Sequence, residues 1–295
     1  MTDTALVEPA TTTPEPGFYQ NVDFDTYVSW DAANASKLKG FAKTPAHVLH
    51  EMQTGGKDQT KALELGWLLH LSIFEPKRFA ADVVVPPKID KRYKEGKAKW
   101  AEFKAAHPHE HFVDVQMHAQ IQGMTNALHR HPTAREFLSG DGFNELSIVW
   151  VEKETGVLCK ARLDRVAPIN DWPTLGDLKS TKDASRRAFE RSVASYGYHV
   201  SAAHYLDGLE TLKPVPAGNP FRRFMWFAVE SSPPYCAAVY EITDEALAQG
   251  VEDRNRYLRK WKECTESGEW PGYPVGVEYA GLPAWAYRQY EDFND

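Results

Sequence analysis

Leu175-Gly-Asp-Leu-Lys-Ser-Thr181, with Val157-Leu-Cys-Lys-Ala-Arg-Leu-Asp-Arg-Val166 shortly before it, is the stretch on which the reading of this chain turns. Both are strand-length runs with a short connection between them. Residues i and i+2 of an extended strand share a face, so Asp177 and Lys179 project together. Asp164, near the end of the earlier run, comes beside them if the two strands are neighbours. Two carboxylates suit a divalent cation, and an adjacent ammonium can orient or deprotonate water, which is the make-up of a metal-dependent hydrolytic centre. Alone, an Asp-x-Lys pair on a strand is more often a solvated face, so the rest of the chain must supply the context.

The flanking segments read as a mixed sheet with helices around it. Phe143 to Glu152 and Val157 to Val166 are strand-like and joined by the turn Lys153-Glu-Thr-Gly156; Trp172 to Lys179 is a third strand. A long helix is expected from Asp183 to Leu212, capped by Thr181 or Asp183. Strands follow over Phe221 to Glu230 and Tyr235 to Ile242, then a helix capped at Thr243 and running to about Glu266.

Upstream, Gly17 to Tyr27 is an extended lead-in. Ala35 to Ala42 forms a short helix capped by Asn34 or Ser36, and Thr44-Pro45 opens another. Lys61 to Phe74 is apolar enough for a buried helix ending before Pro76. Asp90 to Ala106 and Phe112 to Leu138 are also helical in pattern. The fold class is therefore α/β, a mixed central sheet flanked by helices with N-terminal helical additions. Residues 1–16 are expected to be a flexible leader and 17–295 one domain, with the aromatic tail from Gly268 to Asp295 draped over it.

The 295 residues are 42% hydrophobic and 25% charged, ordinary for a soluble globular protein. No apolar stretch approaches the roughly 20 residues that span a bilayer. Cys159, Cys236 and Cys264 offer neither zinc spacing nor enough thiolates for an all-cysteine cluster, so a reducing cytoplasm is expected, with Cys159 and Cys236 as small apolar strand residues. A net charge of −7 argues against a protein that coats nucleic acid over its whole surface, but allows a local basic channel. One basic group runs from Lys77 to Lys104, and another, Lys179, Lys182, Arg186, Arg187 and Arg191, follows the acidic strand. The first reads better as a solvated helix face. The second, beside an acidic centre, fits a phosphodiester bound in a salt-sensitive way.

Several blocks carry a family resemblance: Ala35-Ser-Lys-Leu with Thr44-Pro45, Leu65-Gly-Trp-Leu-Leu-His70 with Glu75-Pro76, Glu145-Leu-Ser-Ile-Val-Trp150, Thr155-Gly-Val-Leu-Cys-Lys-Ala-Arg-Leu-Asp164 and Asp177-Leu-Lys-Ser-Thr181. Tyr198-His-Val200, Asp207-Gly208, Glu269-Trp-Pro271 and Leu282-Pro-Ala-Trp285 add to it. In this order they resemble the C-terminal nuclease domain of exonuclease VIII, the RecE type, of the PD-(D/E)XK superfamily, from about Gly17 onward.

The resemblance implies a magnesium-dependent exonuclease that degrades linear duplex DNA from the 5′ end and leaves 3′ tails for a RecT-type annealing partner, working as a homo-oligomeric ring. By the same resemblance His70, Asp164, Asp177 and the Leu178 carbonyl surround the metal, Lys179 contacts the attacking water, and Glu145 reaches a second metal or its water shell. Tyr198, His199 and Tyr205, with Lys182 and Arg186 of the basic group, are candidate DNA contacts. Histidine is unusual for magnesium and favours manganese, so both ions are expected to serve. One departure is Ser201, where the family often has glutamine. Two further readings share these residues: a RecB-like or flap-type nuclease on single-stranded or branched DNA, and an inactive scaffold that binds DNA ends.

Overall fold

A computed structural model describes residues 13–55, 60–108, 111–212 and 223–283. In chain order its elements are β1 (Gly17–Tyr19), α1 (Phe24–Ser29), α2 (Ala35–Gly40), α3 (Pro45–Thr54), α4 (Lys61–Phe74), α5 (Pro76–Asp82), β2 (Val83–Val84), α6 (Lys94–Ala106), β3 (His111–Phe112), α7 (Val115–Arg130), α8 (Pro132–Ser139), β4 (Phe143–Val151), β5 (Leu158–Ile169), β6 (Trp172–Thr181), α9 (Arg186–Tyr196), α10 (Tyr198–Leu212), β7 (Arg223–Glu230), β8 (Ala237–Glu241) and α11 (Asp244–Ser267). The main sheet has the order β1-β4-β5-β6-β7-β8, with β6 and β7 parallel and every other pair antiparallel. The parallel pair needs a crossover, and α9 and α10 lie between its strands in sequence.

Two cores sandwich the sheet. Leu146, Ile148, Trp150, Cys159, Ala161 and Leu163 pack with Leu38 of α2, Val200 and Leu206 of α10, and Leu258 and Trp261 of α11. Leu178, Met225, Phe227 and Val229 pack on the other side with Leu65, Leu68 and Leu69 of α4, Ile121 and Met124 of α7, and Phe137 of α8. The mixed sheet between helical layers is as the sequence pattern predicted.

Several boundaries differ, each for a local reason. The helix expected from Phe112 to Leu138 is a short strand and two helices, because Pro132 cannot continue α7 and instead opens α8. The helix expected from Asp183 to Leu212 breaks at Gly197, whose φ of +61° ends α9 in the left-handed conformation that glycine adopts without steric cost. Ser185, not Thr181 or Asp183, precedes α9. Of the expected leader, 1–12 lie outside the described residues, but Glu15 is tied in through its carbonyl, which accepts from Tyr19 Oη at 2.5 Å.

The start of the tail packs on the N-terminal helices. Trp270 stacks 6.1 Å from Phe41, and the Pro271 carbonyl accepts from the Ala46 amide at 3.1 Å. Val275, Val277 and Tyr279 beyond are fully exposed, so the expected draping does not hold over these residues, and 284–295 lie outside the described residues. Cys159 is buried as expected, whereas Cys236 sits just ahead of β8 and is exposed. Among the described residues no helix is long and apolar enough to cross a membrane.

Candidate metal centre

The centre begins with the helix that brings His70 to the sheet. Thr60 caps α4 by accepting from the Leu63 amide, and Leu65, Leu68, Leu69, Leu71 and Phe74 bury its apolar side. His70 sits on that helix against β6. Its Nε2–H donates to the Leu178 carbonyl at 3.0 Å, across 108 residues of sequence. That leaves Nδ1 facing two carboxylates, Asp164 Oδ2 at 3.6 Å and Glu145 Oε1 at 3.9 Å. The Leu178 amide donates to Asp164 Oδ2 at 2.7 Å, so one residue of β6 binds the histidine through its carbonyl and the aspartate through its amide.

An irregularity in the β4–β5 pair aims the two acids. Cys159, Ala161 and Leu163 point into the same core as Val166, so the alternation of β5 skips a step at Asp164 and Arg165. Opposite, Glu145 has a φ of +50°, rare for a residue with a side chain, and the ladder pairs Asn144 with Arg165 and Leu146 with Leu163 but not the two acids between them. Conformations of this kind persist where surrounding structure enforces them. Here Arg162 enforces it: its Nε donates to Glu145 Oε2 at 2.6 Å and its guanidinium also to the Val22 carbonyl at 2.5 Å. Arg162 was missed in the sequence, although it stands two residues before Asp164 and so shares its face by strand periodicity.

Asp177 and Lys179 do share a face, and their charged groups meet at 2.5 Å. Leu178 between them points into the core under α4, so the pair projects toward α10. There the Lys179 ammonium lies 5.0 Å from the centre of the Tyr198 ring. Asp177 is accordingly not one of the three close donors His70, Glu145 and Asp164, whose ligand atoms all lie within 4.8 Å of one another. The expected ligand set had Asp177 there and Glu145 at a second metal or its water shell; the structure puts Glu145 in the close group with His70 and Asp164.

Electrostatics follow from this crowding. Burial disfavours the His70 imidazolium, but Asp164 and Glu145 more than offset it and lift its pKa to about 9. Burial is also the main reason the Asp164 carboxyl rises to about 6, His70 opposing and Asp177 adding to the effect. Burial works against the Glu145 carboxylate too, yet His70 and Arg162 hold its pKa below the ordinary value. Burial likewise opposes the Lys179 ammonium, and Asp177 and Asp164 outweigh it, raising its pKa. A pocket that binds a proton this tightly between carboxylates is one where cationic charge is favoured. One imidazole, two or three carboxylates and a carbonyl are a donor set that fits magnesium or, more readily, manganese.

The expected DNA contacts are placed unevenly. Lys182 and Arg186 are exposed at the end of β6 and the start of α9, with Arg186 paired to Glu190 at 2.8 Å. Tyr198 lies over Lys179, and Tyr205 is close enough to Asp177 and Asp164 for their charge to raise its pKa further beyond what burial does. Ser201, the departure from the family pattern, is buried and hydrogen-bonds Tyr205 one turn along α10. His199 does not join this group: its ring nitrogens meet the Val193 carbonyl at 3.2 Å and Asp253 of α11 at 3.3 Å.

The comparisons agree with this architecture. The family described as "PDDEXK-like domain of unknown function (DUF3799)" matches residues 34–282. No curated protein matches the chain in sequence. The crystal structure of a Eubacterium rectale protein named "Putative exonuclease" is similar over 87% of this chain and 92% of its own, with a TM-score of 0.53 and 14% identity, a likeness of fold. The solved structure of SSO0001, also 14% identical, covers 66% of this chain and 85% of its own at a TM-score of 0.29, too low to carry an argument. With the matched region running from the cap of α2 to the tail, and including every residue of the centre, the chain belongs to the PDDEXK-like family DUF3799.

Proposed function

We infer that this protein is a divalent-metal-dependent nuclease, and that it acts as a 5′-to-3′ exonuclease on linear duplex DNA. The observation that carries the reading is the clustering of His70, Glu145 and Asp164 around a common point, with the Asp177–Lys179 pair one strand away. His70, Asp164, Glu145 and the Leu178 carbonyl, joined by Asp177, would hold the ion. When bound, magnesium or manganese would lower the pKa of a coordinated water and offset charge on the phosphate.

The chain's own groups supply the rest. Lys179 is held by Asp177 as an ammonium, so it donates a hydrogen bond to the attacking water and stabilises charge building on the phosphate, rather than serving as the resting base. Arg162 fixes the Glu145 carboxylate, keeping one acceptor aimed at the centre. Tyr205, a half-buried phenol whose pKa is raised, stays neutral and can donate near Asp177. Lys182 and Arg186 stand exposed beyond β6, where they can meet phosphates of the bound strand. In the cell the product would be a 3′ single-stranded tail for a RecT-type annealing protein, and subunits closing into a ring would give processivity.

The test uses end-labelled linear duplex with magnesium or manganese, comparing wild type with Asp177→Ala and Lys179→Ala. The expected result is release of 5′ mononucleotides by wild type, losses of roughly a hundred- to a thousandfold in both variants, and an untouched closed circle. Wild type inert with both ions, or variants as active as wild type, would refute the nuclease assignment. Rapid nicking of the circle would refute the requirement for an end.

A further inference from the structure

The helix that delivers His70 also carries an exposed apolar stripe. Leu63, Trp67 and His70 are spaced by four and three residues and so lie along one side of α4. Leu63 is 54% exposed and Trp67 37% exposed, so two large apolar side chains of this helix stand open to solvent. The stripe ends in the core, where Phe74 meets the His70 ring edge-on at 5.6 Å.

Trp67 is not a loose surface group. The His111 ring of β3 meets it edge-on, with centroids 5.1 Å apart and planes at 75°, and His111 Nε2 is itself 2.8 Å from Glu64 Oε1. One aromatic face is thus buttressed while part of the ring stays open. On the adjacent side of the helix, Gly66 lies against the end of β6, where a methyl group would sit 3.5 Å from Ser180 Oγ. The ring therefore stands about one helical turn, ~5 Å, from His70 along the axis, near the point where β6 leaves the sheet.

Behind it lies positive charge. Phe112, next to His111, packs 5.7 Å from Trp100 of α6. The segment from Lys88 to Lys104 that contains α6 carries seven basic residues against three acidic ones, in a chain whose net charge is −7. Lys94, Lys97, Lys99 and Lys104 are all exposed. An exposed, oriented indole beside a phosphodiester-cleaving centre, backed by lysines, has the chemistry that grips unpaired nucleotides: bases stack on the ring and phosphates meet the ammonium groups.

We propose that Trp67 is a base-stacking platform for the unpaired end of the DNA strand whose phosphate enters the His70–Asp164 centre, with the α6 lysines holding the phosphates further along. Nucleotides along a strand are about 3.4 Å apart when stacked, so the base meeting Trp67 lies one or two nucleotides from the scissile phosphate. This rests on the nuclease reading for the identity of the strand.

The experiment uses a duplex with a short single-stranded end carrying 2-aminopurine, bound to full-length Asp177→Asn protein so that it is not degraded. Wild-type Trp67 should quench 2-aminopurine on binding; Trp67→Leu, which stays apolar but loses the ring, should abolish the quench and weaken binding about tenfold, and Trp67→Phe should keep both. In the active protein Trp67→Leu should raise KM about tenfold with kcat within about twofold, and the salt dependence of binding should be unchanged by Trp67→Leu but shallower in Lys97→Gln/Lys99→Gln. An unchanged quench and affinity in Trp67→Leu overturn the platform and leave the nuclease reading standing. A Trp67-dependent quench with a wild-type protein that cleaves no DNA supports the platform and overturns the nuclease reading instead.

Discussion

Replacing Lys160 by methionine tests the strut that ties the N-terminal helix to the strand carrying Asp164. The Lys160 side chain is almost wholly buried, and its ammonium donates to the carbonyls of Tyr27 at 2.7 Å, Val28 at 3.0 Å and Trp30 at 2.6 Å. These carbonyls close the C-terminal end of α1, where a cation also complements the helix dipole. Methionine keeps the unbranched stem and removes the charge. The bond to Val28 is partly open to water and the Trp30 carbonyl still accepts from the Ala32 amide at 3.1 Å, so the buried acceptor that loses its donor is the Tyr27 carbonyl. Leaving that acceptor unmet costs ~1–3 kcal/mol.

Burial pulls the Lys160 pKa down to about 8, the sign of a desolvation cost that methionine escapes, and this relief returns part of the loss. The expected net destabilisation is about 2 kcal/mol, or roughly 4 °C in melting temperature for a chain of this size. Reversible guanidinium denaturation followed by circular dichroism gives the free energy. Limited proteolysis should show earlier cleavage around α1. Lys160→Arg should not rescue, because a planar guanidinium cannot converge on three carbonyls gathered at one nitrogen. A Lys160→Met protein within ~1 kcal/mol of wild type would show that the three bonds contribute little and that α1 is held by packing alone.

Other outcomes can be stated more briefly. Gly208 lets α10 approach β4, since a methyl there would sit 2.7 Å from Ile148 and 2.9 Å from Trp150, so Gly208→Ala should cost ~1–3 kcal/mol in the same denaturation assay. His204 is fully buried, donates from Nε2 to the Lys160 carbonyl at 3.2 Å, and is pushed down to about 3 by burial first and Arg254 second. Above the unfolded value of roughly 6.5 both states are neutral and stability is complete. Below it only the unfolded chain takes the proton, so stability should fall by ~1.4 kcal/mol per pH unit toward pH 3. His204→Gln should remove that slope between pH 7 and 5, and an equal slope in both proteins would rule His204 out as its source. Manganese at a hundredfold excess over its dissociation constant should stabilise the protein by ~2.7 kcal/mol, read as a rise in melting temperature reversed by EDTA. His70→Ala should lose most of that rise, and retaining it would place the ion elsewhere.

Local periodicity and punctuation carried much of the architecture in the sequence itself. The β4–β5 hairpin, the strand with Asp177 and Lys179 on one face, the cap at Thr243 and the end of α4 at Pro76 all follow from side-chain alternation, proline and capping chemistry, which act over a few residues. Even the Lys160, Arg162 and Asp164 alternation was written there, although its meaning was not. Only the tertiary structure decided who meets across the layers. It placed Glu145 rather than Asp177 beside His70, through a left-handed backbone at Glu145 that no propensity predicts for a strand. It turned His199 to Asp253 and stood Trp67 against His111. Such pairings join residues tens to more than a hundred positions apart, and they depend on how helices seat on the two faces of one sheet, which no local pattern encodes.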